Sequence, residues 1–225
     1  DIPSALQMLQ RKIKNSMGVE PYDPAREEQV FAKIKNLSEG PMREDSLKTI
    51  YREVISASIA LEKEMVIGYL GPEATYTHQA AVKNFGSTLE YRPLSDIPDV
   101  FNAVESGECD YGVVPIENST EGAVNRSLDL LVESELSIIA QVYLQVEHCL
   151  FSQDKFTEIK EIQSKDQALA QCGEWIRRNF PHVSLVPVTS TAEGVKNCKI
   201  GNGVAAIAGE LAGRIHGVPM LEQGI

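Results

Sequence analysis

Three short polar runs carry residue types that can hold an anion. Gly71-Pro72-Glu73-Ala74-Thr75-Tyr76-Thr77-His78 follows an apolar run and opens a helical pattern. Gly-Pro turns the chain. Thr75 and Thr77 set hydroxyls near a helix N-terminus, where free N–H groups favour negative charge; Thr77 serving only as an N-cap is the plainer reading. Pro115-Ile116-Glu117-Asn118-Ser119-Thr120-Glu121-Gly122 ends a strand with a dense polar run. Asn118 and Glu121 stand at capping-box spacing, so a well-capped turn competes with a binding loop. In Thr189-Ser190-Thr191-Ala192-Glu193, Ser190 and Glu193 repeat that spacing. Together, three hydroxyl-rich helix starts suggest a cleft for a small polar anion, without identifying it.

The elements that position these loops follow from periodicity. Residues 1–64 read as three helices. Leu6, Leu9 and Ile13 mark the first. Asp23-Pro24, a cap before a first-turn proline, starts the second, with Val30, Ile34 and Leu37 on one face. The third runs from about Glu44 to Lys63, with Leu47, Ile50, Tyr51, Val54, Ile55 and Ile59 at helical spacing. Three amphipathic helices in so short a segment cannot bury their apolar faces alone, so a homodimer is expected. From residue 65 the pattern becomes strand–helix alternation, the mark of α/β layers with largely parallel strands. The expected order is strand 66–70, helix from Thr77, strand 88–92, a helix capped by Ser95, strand 111–116, a helix from about Gly122 to Val132, and a β-rich stretch at 137–146. Strands 159–163, 183–188 and 203–208 follow, alternating with helices 167–179, 191–198 and 209–216. In such folds ligands sit at the carboxyl ends of strands.

Composition bounds the partners. The 225 residues carry 21 Lys plus Arg against 32 Asp plus Glu, a net charge of −11. Nucleic acid is disfavoured, because phosphate binding needs a basic field, and an anion site here must be built locally. No apolar run approaches the roughly 18 residues of a membrane span, and the first residues lack a signal-peptide pattern. Cys109, Cys149, Cys172 and Cys198 lie far apart, as reduced thiols of a cytoplasmic protein do. His78, His148, His182 and His216 lack metal-ligand spacing, and no metal site is expected.

The order and spacing of several motifs identify the region 65–225 as similar to the prephenate dehydratase family. They are Gly71–His78 (family G-P-x-G/A-[ST]-[YF]-[ST]-H), Val113–Gly122 (V-P-I-E-N-S-x-x-G), Glu147-His148-Cys149-Leu150 and Ser190-Thr191-Ala192. Residues 12–63, through Gly18-Val19-Glu20-Pro21-Tyr22-Asp23-Pro24-Ala25-Arg26-Glu27-Glu28, resemble chorismate mutase. The whole looks like a bifunctional mutase–dehydratase of phenylalanine biosynthesis. The resemblance implies an all-α mutase-like segment, residues 1–64, followed by an α/β dehydratase domain, 65–225, of two lobes similar to type 2 periplasmic binding proteins.

The resemblance also assigns residues. Lys14, Asp23, Arg26, Glu27, Ser58 and Glu62 fall on mutase substrate positions, the cations on carboxylates and an ether oxygen, Glu27 and Ser58 near the hydroxyl. Thr75, Thr77, Asn118, Ser119, Thr120, Gly122, Ser190, Thr191 and Ala192 fall on the dehydratase site, the last two acting through backbone N–H groups. Glu117 either orients Asn118 or, if desolvated, donates a proton. Thr77, Glu117 and Asn118 are the candidates nearest the chemistry, and His148 reads as a structural hydrogen-bonder. No cofactor is needed, since aromatisation drives loss of CO₂ and the ring hydroxyl. The family's T-R-F motif, whose threonine is its candidate proton donor, its phenylalanine-binding ACT domain and the further arginines of a long first helix are not among these residues. Ser164-Lys165-Asp166-Gln167 replaces the common S-H-P-Q. A piece of a larger enzyme, binding prephenate but with little or no dehydratase activity, is therefore expected. Arogenate dehydration and a non-catalytic anion-binding module are the alternatives.

Overall fold

The structure, a computed structural model, describes residues 22–120 and 122–225. The helix expected around Leu6, Leu9 and Ile13, together with Lys14, lies outside the described residues. Two compact units are present: one takes in the chain up to Gly68 with 81–92 and 100–142, the other 69–80, 93–99 and 143–225.

In the first unit, helix α1 spans Pro24–Leu37 and starts as its sequence dictates. The Asp23 carboxylate accepts from the N–H groups of Ala25 and Arg26 at 3.0 and 3.2 Å, ahead of Pro24. Helix α2 spans Glu44–Glu62. Its apolar stripe splits into two faces. Ser56 and Ile59 turn inward and are buried, whereas Ile50 and Val54 are 49% and 54% exposed. The inward face is seated by polar contacts as well as apolar ones. The Glu53 carboxylate accepts from the Ser87 amide at 3.0 Å and its hydroxyl at 2.6 Å. Ser56 Oγ accepts from Thr88 N at 3.3 Å, and Lys63 pairs with Asp110. Tyr22 packs between Phe85 and Tyr111, tilted against the first and edge-on to the second, with ring centroids 4.7 and 5.4 Å away.

A three-stranded sheet has the order β2-β1-β3, from Glu90–Leu94, Val66–Leu70 and Tyr111–Val113. Helices α3, Tyr76–Phe85, and α4, Ile97–Glu105, separate these strands in sequence. The cap of α4 is Asp96, whose carboxylate takes the Asp99 N–H at 2.8 Å, and not Ser95. β4 (Glu117–Asn118) and β5 (Gly122–Ala123) pair as a short hairpin, so helix α5 begins at Asn125, later than the expected Gly122. The β-rich stretch 137–146 joins no sheet of the described residues. Ile138 and Tyr143 are 71% and 77% exposed there: β propensity describes fitness for a packed pleat and does not supply one.

The second unit holds a five-stranded sheet in the order β10-β6-β9-β7-β8. Its strands are β6 Cys149–Ser152, β7 Glu161–Ser164, β8 Ser184–Pro187, β9 Val204–Ala208 and β10 Met220–Gln223. β7 runs parallel to β8 and β9, but β6 is antiparallel to β9 and β10, so the sheet is mixed where largely parallel strands were expected. Period-two alternation sends Ala205 and Ile207 into one core with Leu150, Ile162, Leu169 and Phe180. Ala206 and Ala208 enter the other with Phe151, Val195 and Ala212. Helix 167–179 is broken at Cys172 into α6, Asp166–Gln171, and α7, Gly173–Asn179; α8 (Thr191–Asn197) and α9 (Glu210–His216) follow β8 and β9. α9 lies so close to the sheet that a Cβ on Gly213 would meet Phe151 Cε1 at 2.2 Å.

The seat of α2 depends on Gly86. Its φ is +82°, and a Cβ there would lie 2.4 Å from Ser56 Cβ. Gly86→Ala is therefore expected to lower unfolding free energy by about 2–4 kcal/mol, combining left-handed backbone and overpacking. Urea unfolding followed by circular dichroism measures it; a loss below about 0.5 kcal/mol would show that the helix shifts freely off its seat.

Candidate active site

In the second unit, β7, β8 and β9 end at one edge of the sheet. Because β6 runs the other way, its amino end meets the same edge, with Cys149 opposite Ala208. That edge gathers Gln167, Thr189–Thr191, Gly209 and His148. The loop Gly71–His78 belongs to it too: Ala74 is packed into the core that holds Ala192 and Ala208.

The loop is held from within by an imidazole. His78 is buried, stacks on Tyr69 with centroids 4.4 Å apart, and accepts the Ala74 N–H through Nδ1 at 3.1 Å. Ala74 itself has φ +68°, a conformation costly for a side-chain-bearing residue. Burial pushes the His78 pKa below the ordinary histidine value, with Glu73 opposing weakly. Thr75 Oγ1 donates to Leu70 O at 3.3 Å. Thr77 is half-buried and its hydroxyl has no hydrogen-bond partner among the described residues. A cavity of about 260 Å³ opens beside this loop, lined by Gly71, Pro72, Pro93, Leu94 and Ser95.

Ser190 caps α8, its Oγ accepting from Glu193 N at 3.1 Å. The reciprocal arm of a capping box is displaced by one residue. Glu193 reaches the amide and hydroxyl of Thr189, at 2.9 and 2.5 Å, and those bonds hold its carboxyl below the usual range. Thr191 and Ala192 are buried at the first turn of α8.

Asn118 lies in the first unit, where its Oδ1 accepts from the amide and hydroxyl of Thr120, both at 2.9 Å. That turn uses the Asn118 Oδ1 and not its Nδ2. Glu117 and Ser119 are exposed in this unit, Gly122 has φ +81°, and Glu121 lies outside the described residues. The same unit carries the mutase-type positions. Glu27 is buried against Arg52, which also lies over the Phe31 ring. Burial lifts the Glu27 carboxyl despite that guanidinium. Asp23 is committed to the cap of α1, Arg26 is exposed, Ser58 Oγ donates back to Val54 O, and Glu62 is half-buried.

One feature escaped the sequence reading. Gln167 Nε2 is buried without a hydrogen-bond partner, at the carboxyl end of β7. Buried donors are nearly always paired, and no periodicity marks such an orphan. The four cysteines are buried free thiols, with burial raising Cys172 to about 11 and Cys198 to about 12. Among the described residues no three His, Cys, Asp or Glu side chains gather as metal ligands, and no helix is long and apolar enough to cross a membrane.

Helical elements followed by α/β units, with hydroxyls and helix starts at a strand edge, define an α/β protein. Residues 67–225 match the prephenate dehydratase family and residues 11–63 chorismate mutase type II. A bifunctional chorismate mutase/prephenate dehydratase from Aquifex aeolicus is 38% identical over 95% of this chain and 60% of its own. That from Neisseria gonorrhoeae is 40% identical over 91% and 58%. The crystal structure of prephenate dehydratase in complex with L-Phe from Arthrobacter aurescens superposes with a TM-score of 0.64. It is 28% identical and covers 72% of this chain and 55% of that one. This chain belongs to the prephenate dehydratase family. It spans about three fifths of the length of the curated relatives it matches first.

Because His78 is held neutral in the fold, the unfolded chain binds its proton more readily. Stability is then full above the ordinary imidazole value of about 6.5 and falls as pH drops below it toward the lowered value in the fold. His216, also depressed by burial, adds to that slope. His78→Asn is expected to flatten the pH dependence of unfolding free energy more than His216→Asn does. Urea titrations at several pH values check it.

Proposed function

We propose that the region 65–225 binds prephenate and serves its decarboxylating dehydration to phenylpyruvate, and that the helical region 1–64 serves conversion of chorismate to prephenate in the whole protein. The carrying observation is the sheet edge of the second unit, where Thr77, Ser190, Thr191 and Ala192 present hydroxyls and first-turn amides within a region that matches the dehydratase family. Such groups suit a dianion in a chain of net charge −11.

The chemistry sets the task. The ring carboxylate leaves as CO₂, its C–C electron pair enters the ring, and the ring hydroxyl departs with a proton as water. The protein must hold two carboxylates and deliver that proton. Thr75, Thr77, Asn118, Ser119, Thr120, Gly122, Ser190, Thr191 and Ala192 serve substrate binding, with Glu117 orienting Asn118. Lys14, Asp23, Arg26, Glu27, Ser58 and Glu62 form the mutase-type site. A homodimer through the exposed face of α2 is supported by Ile50, Val54 and Leu61, each about half exposed or more. A cytoplasmic setting is supported by the four free thiols.

Titration calorimetry with prephenate tests the reading. Asn118→Asp keeps the acceptor that Thr120 uses but replaces the Nδ2 donor by a negative charge. It is expected to weaken binding by about 1–3 kcal/mol. Unchanged affinity would remove Asn118 from the site, and absence of binding by the unsubstituted chain would sink the proposal. Light scattering gives the second check: a chain that scatters as a monomer at tens of micromolar would exclude the α2 dimer.

A further inference from the structure

We infer that Tyr76 is a positioning residue of the dehydratase-type site, acting through a hydrogen-bonded chain Tyr76–His148–Gln171 that fixes the loop Gly71–His78 on the sheet edge. The inference rests on the proposed function for its ligand; its geometry is independent of it.

The chain has a defined direction. His148 Nε2 lies 2.7 Å from Gln171 Oε1, and His148 Nδ1 lies 2.7 Å from Tyr76 Oη. A carboxamide oxygen only accepts, so Nε2 carries the proton. Nδ1 is then a bare lone pair, and the Tyr76 hydroxyl donates to it. An imidazolium would present a second N–H to a phenol that already has a proton to place. The next acceptor, Glu147 O, is 3.5 Å from Oη. His148 is buried, and Cys149 and Cys172 are thiols that burial keeps protonated. Glu147, the chain neighbour of His148, is exposed, and its carboxylate accepts from Gln223 Nε2 at 3.0 Å.

The phenol ring is trapped as well as hydrogen-bonded. A Cβ on Gly209 would meet Tyr76 Cε1 at 2.7 Å, so the ring occupies the space a side chain there would take. Tyr76 therefore ties the first turn of α3 to β6, α6 and the start of α9 at once. Its neighbours Thr75 and Thr77 are the hydroxyls assigned to the ligand. His78 anchors the loop from the inside at Ala74, and His148 anchors it from the outside at Tyr76. A loop pinned by two imidazole nitrogens presents Thr77 at a fixed point, and the order needed to receive a ligand is present before it arrives.

The experiment uses the full chain. Ring-nitrogen NMR of ¹⁵N-labelled protein is expected to show His148 protonated at Nε2 and bare at Nδ1. Tyr76→Phe keeps the ring in its slot and removes only the hydroxyl. It is expected to raise the prephenate Kd about 3–10-fold while moving Tm by only a few degrees. Gln171→Leu should give a loss of similar size. The double variant should fall within about twofold of the weaker-binding single one, because both cut one chain. A proton on Nδ1, single losses that multiply, or a Tyr76→Phe chain of lowered Tm and unchanged Kd would each overturn the inference. An unsubstituted chain that takes up no prephenate overturns the dehydratase reading. Binding by the unsubstituted chain that Tyr76→Phe leaves equally tight overturns the positioning role alone.

Discussion

Strand β9 carries the second unit. Ala205, Ala206, Ile207 and Ala208 are fully buried, with a core on each face of the sheet. Its two neighbours run in opposite senses, β7 parallel and β6 antiparallel. The first partner sends Gln167 to the strand's carboxyl end, and the second sends His148 there. A larger side chain at Ala206 would also push away α8, since a Cβ on Gly194 would already lie 3.3 Å from the Ala206 Cβ. Small residues on the central strand are thus what lets helix starts come close enough to offer backbone amides at the edge.

The first unit depends on a different economy. Its helix α2 is amphipathic twice over, with Ser56 and Ile59 on one side and Ile50 and Val54 on another. The inward side is specified by polar groups that must find particular partners: Glu53 on Ser87, Ser56 on Thr88, Lys63 on Asp110. Apolar burial alone would tolerate sliding along the helix axis. A carboxylate that accepts both an amide and a hydroxyl of one residue does not, because a slip breaks both bonds at once. The mutase-type residue Glu27 is drawn into the same arrangement, since its partner Arg52 sits on α2.

Much of this is legible in the residues. Asp23-Pro24 marks a helix start to the residue, because a cap and a first-turn proline are local facts needing no tertiary context. β1, α2, β9 and α8 follow from periodicity for the same reason. The failures share a cause. The hairpin Glu117–Ala123 reads as a helix approach because Asn118 and Glu121 mimic a capping box, whereas Asn118 closes its own turn on Thr120. The stretch 137–146 has the composition of a strand but needs a neighbour that composition cannot name. β10 is short, and its pairing with β6 is set by a long return of the chain. Of the site, the loops Gly71–His78 and Thr189–Glu193 are legible as hydroxyl-rich helix starts. The chain from Tyr76 to Gln171 is not, because its successive members lie 72 and 23 residues apart in sequence.

The buried thiols have a consequence of another kind. Cys149, Cys172 and Cys198 are all sealed in the second unit and Cys109 in the first, each with a raised pKa. An alkylating reagent attacks only a thiolate it can touch. The closed molecule is therefore silent to such a reagent, and each sulfur becomes a clock for the opening of its own surroundings. The protein carries, without any label, a set of local timers distributed over both halves of its α/β region.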